Sequence, residues 1–387
     1  MHDFDTPVPE SAEWEAWLEY ADALTAAGDP RGEAIRLEHL CETGDGGGDA
    51  AALAAAYGRV ERQLGLDGLR DDGSWRFTWS RGFIDEASFL LTEEAGPQRR
   101  ALVERLLAGL PHAGSFDPAD PEQWEGALID ALLSHPATRL LRTLELRLTD
   151  YHHSAERAAV ALARRRRPRL EALRFGHDFD VLFELHPTSA GNRVEPETYL
   201  HAAVVSEEAG NALWEALPAL RTLGLEGAFL FCDVRHDALT HLRIRGAVFA
   251  DGSLFTASTP ALESLTVEID VDVHGVAASN AVLGHLDPSW HPRLRSLDLS
   301  QAYFEPEEAG DFVVLADSPI LPQLAELDLR ELVIEDAIDG REPPAVLAEL
   351  APRFAHLDLY VRGDIIVEGA DDGEVDRVLS ALAHGSD

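Results

Sequence analysis

Leu220-Arg-Thr-Leu223-Gly-Leu225, Leu239-Thr-His-Leu242-Arg-Ile244 and Leu262-Glu-Ser-Leu265-Thr-Val267 are three copies of one phrase. It reads apolar residue, two variable residues, Leu, one variable residue, apolar residue. Five further copies span Leu141–Leu146, Leu170–Phe175, Leu294–Leu299, Leu324–Leu329 and Phe354–Leu359. A Pro often stands two residues before the phrase, as at Pro168, Pro218, Pro260, Pro292, Pro322 and Pro352. The Leu and the apolar residue two places on have the spacing of a strand with one buried face. The last four copies recur at about thirty residues, enough for a strand plus a helix or helical turn per unit. Such a unit cannot bury its apolar edge alone. Stacked copies close a continuous core and leave the variable positions on one open face.

The phrase resembles the consensus of a leucine-rich repeat. The resemblance implies an α/β solenoid: a curved parallel sheet, helices on the convex side and an extended concave face. One departure is visible. The ninth position, where Asn or Cys usually bonds the turn, holds Thr149, Asp178, Ala228, Ala247, Asp270, Ala302, Leu332 and Arg362. The turns are therefore expected to be atypical. The gap between the second and third copies predicts an insertion near 176–217, with a protruding loop over 186–196. Helical spacing at Val375, Val378, Leu379 and Leu382 predicts a capping helix over 371–387 that closes the open end.

Upstream, residues 10–42 predict a helical hairpin. Ser11 is the expected cap of its first helix, and Trp14, Trp17, Leu18 and Leu24 give that helix an apolar face. Gly28 suits a helix end, Asp29-Pro30 a helix start, and Ile35 and Leu37 face the core. The stretch Trp17-Leu-Glu-Tyr-Ala-Asp-Ala-Leu-Thr-Ala-Ala-Gly-Asp-Pro-Arg-Gly-Glu-Ala-Ile-Arg-Leu37 resembles the bacterial repeat-companion domain. Tyr20-Ala21-Asp22 and Gly28-Asp29-Pro30-Arg31-Gly32-Glu33 carry the match; Ala23 departs from the Trp usual there. The resemblance implies a helical cap in front of the repeats and brings no known activity. An Ala-rich helix is expected over 49–64. Alternating Trp75, Phe77 and Trp79, followed by Arg81-Gly82-Phe83, predict a strand pair over 75–90 that starts the sheet. Helices are expected near 97–110, 121–134 and 154–167. The expected organisation is 1–70 helical cap, 71–370 solenoid and 371–387 capping helix.

Composition narrows the function. The formal net charge of −38 excludes nucleic acid as the main partner, because phosphate binding rests on excess Lys and Arg. It also argues against anionic membranes and favours a basic protein partner. The chain has no lysine; all 32 basic residues are Arg. A Walker lysine, a kinase strand lysine and a pyridoxal Schiff base are thereby excluded. This usage, with abundant Ala, Gly and Leu, suggests a high-GC bacterial genome. Cys41 and Cys232 cannot build a disulfide framework or a zinc site by themselves. Cys41 is expected to be a small buried thiol. No leader or membrane span is visible, so the expected compartment is the cytoplasm and the expected state a monomer.

The chemistry-bearing candidates lie in the variable positions. Between the last two apolar residues stand Asp298, Asp328 and Asp358 in the final three phrases. Stacked on neighbouring strands about 4.8 Å apart, they predict an acidic column. Glu326, Ser300, Glu268 and Asp270 extend it, and Arg330 and Arg295 relieve it. No catalytic residue, metal ligand or cofactor motif is identified. His152, His153, His177, His285 and His291 lack metal spacing and are read as surface or turn residues. Arg164-Arg165-Arg166-Arg167 is read as the basic end of the helix 154–167. The expected function is a non-enzymatic interaction scaffold that binds a partner on the concave acidic face. The alternative is an enzyme-associated or metal-binding subunit using the acidic column.

Overall fold

The computed structural model describes residues 7–10, 13–44, 49–90, 97–108, 117, 119–120, 123–149, 154–177, 205–227, 230–246, 248, 259–268, 283–284, 286–300, 303–304, 311–329, 333–334, 340–341 and 343–360. Three helices come first: α1 (Trp14–Ala26), α2 (Arg31–Thr43) and α3 (Ala50–Leu64). Ser11 lies outside the described residues, and α1 starts after Glu13, which makes no side-chain cap. Gly28 takes the left-handed conformation just past α1 (φ +75°), and Asp29 Oδ1 accepts the Arg31 N–H at 3.0 Å to open α2. After the short helix α4 (Asp67–Asp71) come β1 (Trp75–Ser80) and β2 (Phe83–Leu90), an antiparallel hairpin.

The helices grip this hairpin at its turn. Its turn is Arg81-Gly82, both at positive φ (50° and 79°), the backbone that twists with the strands. Arg81 is not a favoured residue there, so something must hold it. The buried Glu38 carboxylate accepts the Arg81 N–H at 2.8 Å, the Ser80 hydroxyl at 3.2 Å and the Tyr57 hydroxyl. Tyr57 Oη in turn accepts the Gly82 N–H at 3.3 Å. Burial pushes the Glu38 carboxyl up from its ordinary range and the Tyr57 hydroxyl well up from its own. Trp17, Tyr20, Leu24 and Ile35 close over Phe83 in one apolar cluster.

The sheet then grows by parallel addition. The later strands are β3 (Thr143–Leu148), β4 (Ala172–His177), β5 (Thr222–Glu226), β6 (His241–Arg245), β7 (Ser264–Glu268) and β8 (Ser296–Asp298). They are followed by β9 (Tyr303–Phe304), β10 (Glu326–Asp328), β11 (Val333–Ile334) and β12 (Asp358–Tyr360). Ten of the strands form one sheet in the order β1-β2-β3-β4-β5-β6-β7-β8-β10-β12, and β9 pairs with β11 separately. Helices α5 (Pro97–Leu107) and α6 (Trp124–Leu133) lie between β2 and β3, α7 (Ser154–Ala163) between β3 and β4, α8 (Glu207–Ala216) between β4 and β5, α9 (Asp311–Asp317) between β9 and β10, and α10 (Pro343–Phe354) between β11 and β12. The second and third apolar residues of the phrases from Leu141 to Leu329, such as Leu144 and Leu146 or Leu223 and Leu225, enter one core shared with α5–α10. Each buried Leu is worth about 1.5–3 kcal/mol. This is the leucine-rich-repeat solenoid expected from the phrases.

The register corrects one phrase. Leu327 faces Leu297 on one side and Leu359, not Leu357, on the other. The turn that opens a phrase explains this. The first Leu donates its N–H to the carbonyl three residues back: Leu294 to His291, Leu324 to Leu321, and then Leu357 to Phe354. The last phrase therefore starts at Leu357 and is one residue short. Phe354 belongs to the end of α10 and is buried, and Pro352 lies inside that helix.

Other expectations also change. α7 ends at Ala163, so the arginine run follows it. Arg164 pairs with Asp130, while Arg167 is buried and donates to Leu133 O at 2.8 Å. Burial lowers the Arg167 guanidinium to about 10. His177 and His291 are buried rather than superficial. Cys41 is half-buried and Cys232 exposed, and no disulfide joins them. Of the ninth-position residues only Thr149 is described; its N–H and hydroxyl both bond the buried Glu125 at 3.1 Å. The expected loop 186–196 and capping helix 371–387 lie outside the described residues. Among the described residues, no helix is long and apolar enough to cross a membrane.

Candidate functional site

Because strand side chains alternate, three rows face away from the core along the sheet. The first runs Thr143, Ala172, Thr222, His241, Ser264, Ser296, Glu326, Asp358. The second runs Glu145, Arg174, Gly224, Arg243, Thr266, Asp298, Asp328. The third, one place further along, runs Arg147, Gly176, Glu226, Arg245, Glu268.

The acidic column is thus different in shape from the one expected. Asp298 and Asp328 do face each other, but Asp358 stands beside Glu326 in the first row. The four carboxylates form a staggered block, with Asp298 and Asp328 in the second row on β8 and β10 and Glu326 and Asp358 in the first row on β10 and β12. Neighbours at a strand spacing of about 4.8 Å repel by about 0.9 kcal/mol in bulk water and by more near protein. Asp298 Oδ1 also accepts the Ser300 N–H at 2.9 Å. Asp270 and Arg330 lie outside the described residues. Arg295 points its guanidinium to the Gln323 carbonyl at 2.7 Å.

Glu268 belongs to a different structure. It bonds Arg243 through Nε at 2.9 Å and Arg245 through Nε at 3.3 Å. Arg245 reaches Glu226 at 2.9 Å, Glu226 reaches Arg174 at 2.9 Å, and Arg174 reaches Glu145 at 2.9 Å. The result is a ladder of alternating charge across β3–β7. Its centre, the Glu226 carboxylate, is only 5% exposed and clasped by two guanidiniums. Three carboxylates and three guanidiniums balance there, whereas β8, β10 and β12 set Asp298, Glu326, Asp328 and Asp358 beside Ser296 at outward positions. The phrase reading missed the ladder because Glu226 and Arg245 lie just beyond the phrase.

Inside the ladder the open face has a hollow of about 440 Å³, bordered by Arg174, Arg243, Thr222, Gly224, Ser264 and Thr266. The second row carries arginine on both sides of Gly224 and no side chain at Gly224 itself. Among the described residues, no group of three or more His, Cys, Asp or Glu side chains is placed to hold a metal ion.

No protein-family model matches the chain, and no curated protein matches it. Among solved structures it is similar to the leucine-rich repeat-containing protein LegL7 from Legionella pneumophila. The identity is 14%, with 77% of this chain and 98% of that chain covered, at a TM-score of 0.36.

Proposed function

We propose that this protein is a non-enzymatic interaction scaffold, and that a basic stretch of a partner polypeptide docks on the C-terminal end of its open face. One observation carries the reading. The charge-balanced ladder stops at Glu268, and the next three strands of the sheet present Asp298, Glu326, Asp328 and Asp358 at outward positions that hold no arginine. Four carboxylates on adjacent strands make a locally negative surface, which a cationic segment complements. The resemblance of the N-terminal stretch to the repeat-companion domain agrees with a cytoplasmic bacterial repeat protein, and the chain's acidity agrees with a basic partner.

The test is a matched pair of variants. One carries Asp298→Asn, Asp328→Asn, Asp358→Asn and Glu326→Gln. The other removes the same charge elsewhere, at the exposed Glu15, Glu19, Glu207 and Glu208. A fluorescein-labelled peptide of alternating Arg and Ser is titrated against each over a salt series. The block variant should fold as well as the parent, bind the peptide at least fivefold more weakly and lose most of its salt dependence. Equal loss in the control variant would show only the general pull of an acidic protein and would sink the assignment.

A further inference from the structure

Glycine weakens a strand, because it costs backbone entropy and packs nothing. Where a strand keeps one, either the backbone needs it or something approaches. Two glycines on this sheet separate the cases. Gly176 has φ +146°, and a Cβ there would lie 1.9 Å from the Glu226 carbonyl oxygen, so the fold requires glycine. Gly224 has an ordinary strand φ, and a Cβ there would make only ordinary contact, 3.7 Å from Arg174 Cγ. The fold has no need of glycine at 224. Its effect is to open the hollow between Arg174 and Arg243.

The walls of that hollow are organised. Arg174 and Arg243 stand two strand spacings apart, about 9.6 Å. Each is tethered on its far side, Arg174 to Glu145 and Arg243 to Glu268, and Arg174 also to Glu226. Guanidiniums held in this way lose little freedom when a ligand arrives. With the guanidiniums drawn off to these carboxylates, the gap above Gly224 is walled by the aliphatic stems of Arg174 and Arg243, and a flat ring can pack between such stems. Between the two arginines the lining is Thr222 and the strand backbone at Gly224, while Ser264 and Thr266 border the hollow beyond Arg243, on β7.

The geometry points to an aromatic-anchor subsite at Gly224: a partner segment that seats one aromatic side chain between Arg174 and Arg243 and runs across the strands to place basic residues on the acidic block. The inference rests on the scaffold reading above and specifies its partner. From β5 to β8 is three strand spacings and to β10 four, about 14 and 19 Å. An extended chain covers this in about four to six residues. The occupant is therefore an extended segment with an aromatic residue and Arg or Lys four to six positions away. Charge complementarity selects it over an acidic or neutral segment.

A displayed library of random 14-residue peptides, panned on the full-length protein, tests this. The expected winners carry Trp, Tyr or Phe with Arg or Lys four to six residues away. As synthetic peptides they should bind Gly224→Leu at least tenfold more weakly and Gly224→Ala by an intermediate factor, with both variants melting like the parent. Replacing the aromatic residue by Ala in the peptide should weaken binding to the parent at least tenfold and leave binding to Gly224→Leu almost unchanged. Winners that are basic without an aromatic residue, and that bind Gly224→Leu as well as the parent, would overturn the subsite while leaving the acidic scaffold standing. Winners insensitive to both Gly224→Leu and the four-residue block variant would overturn both, as would no enrichment over a blank surface.

Discussion

Replacing Glu38 by Ala should loosen the whole start of the sheet. Its carboxylate accepts from the Arg81 N–H, the Ser80 hydroxyl and the Tyr57 hydroxyl, and the residue is 8% exposed. Truncation strands those donors away from water. A hydrogen bond to a charged group contributes about 1.5–3 kcal/mol, and an abandoned buried donor costs about 1–3 kcal/mol. Because the Ser80 hydroxyl is partly exposed and can turn to water, the expected loss is about 3–5 kcal/mol. Glu38→Gln keeps most of the shape and should cost about 1–2 kcal/mol at neutral pH. The pH dependence has a defined sign. Burial holds the folded Glu38 carboxyl above its ordinary value, so its contribution is full below the unfolded value of about 4.3 and falls as pH rises through the folded one. The stability gap between parent and Glu38→Gln should therefore narrow as pH rises above the unfolded value and level off once the folded carboxyl has ionised. Urea unfolding followed by tryptophan fluorescence reads this, since Trp79 stacks on Tyr57 with ring centroids 5.4 Å apart. A gap that widens with pH, or a Glu38→Ala protein as stable as the parent, would refute the turn-clamp reasoning.

The two glycines give a contrasting pair: Gly176→Ala should cost about 3 kcal/mol or more, through collision with the Glu226 backbone and strain at positive φ. Gly224→Ala should fall within about 0.5–1 kcal/mol of the parent, most simply as a slight gain in urea midpoint. In the ladder, Arg174→Ala and Arg245→Ala should each cost about 1–3 kcal/mol, since Glu226 keeps one clasp. The double variant should cost more than their sum, because it leaves a buried carboxylate with neither guanidinium, a loss of about 3–5 kcal/mol for that step. A double-mutant cycle that is additive would show that the two clasps act independently.

The fold was legible because the repeated phrase is a statement about burial. Leu at the strand spacing, next to a second apolar residue, can only face the core, and the register from β3 to β10 follows from aligning those pairs. The last copy misled because Phe354 is apolar, sits three residues before a Leu and follows Pro352 by two. It satisfies every local criterion while packing as the end of a helix. That slip carried Asp358 into the wrong row. The outward rows were less legible for a physical reason: which carboxylate meets which guanidinium depends on side-chain reach across two strands. Glu268 read as one more acid because Arg243 and Arg245 were not aligned with it. Gly224 is visible in the sequence as the residue without a side chain at the outward position between Arg174 and Arg243. Its meaning required its φ and the empty space above it.

The hairpin that opens the sheet also sets the order in which the sheet is assembled. β1 and β2 are joined by a two-residue turn and pair at the lowest sequence separation in the sheet, so closing them costs little chain entropy. Hairpins of this kind form in about 1–10 μs. Every later strand must cross a loop and finds its register only against an edge that already exists. Residues 14–90 are synthesised before any phrase, and at about 5–20 residues per second a repeat of about thirty residues arrives every few seconds. The finished hairpin, clamped by Glu38 and Tyr57, is then the template on which β3 aligns, and each repeat in turn templates the next. Growth of the solenoid is therefore directional, from the helical end outward, and a weakened clamp would show itself first as slow or misregistered refolding.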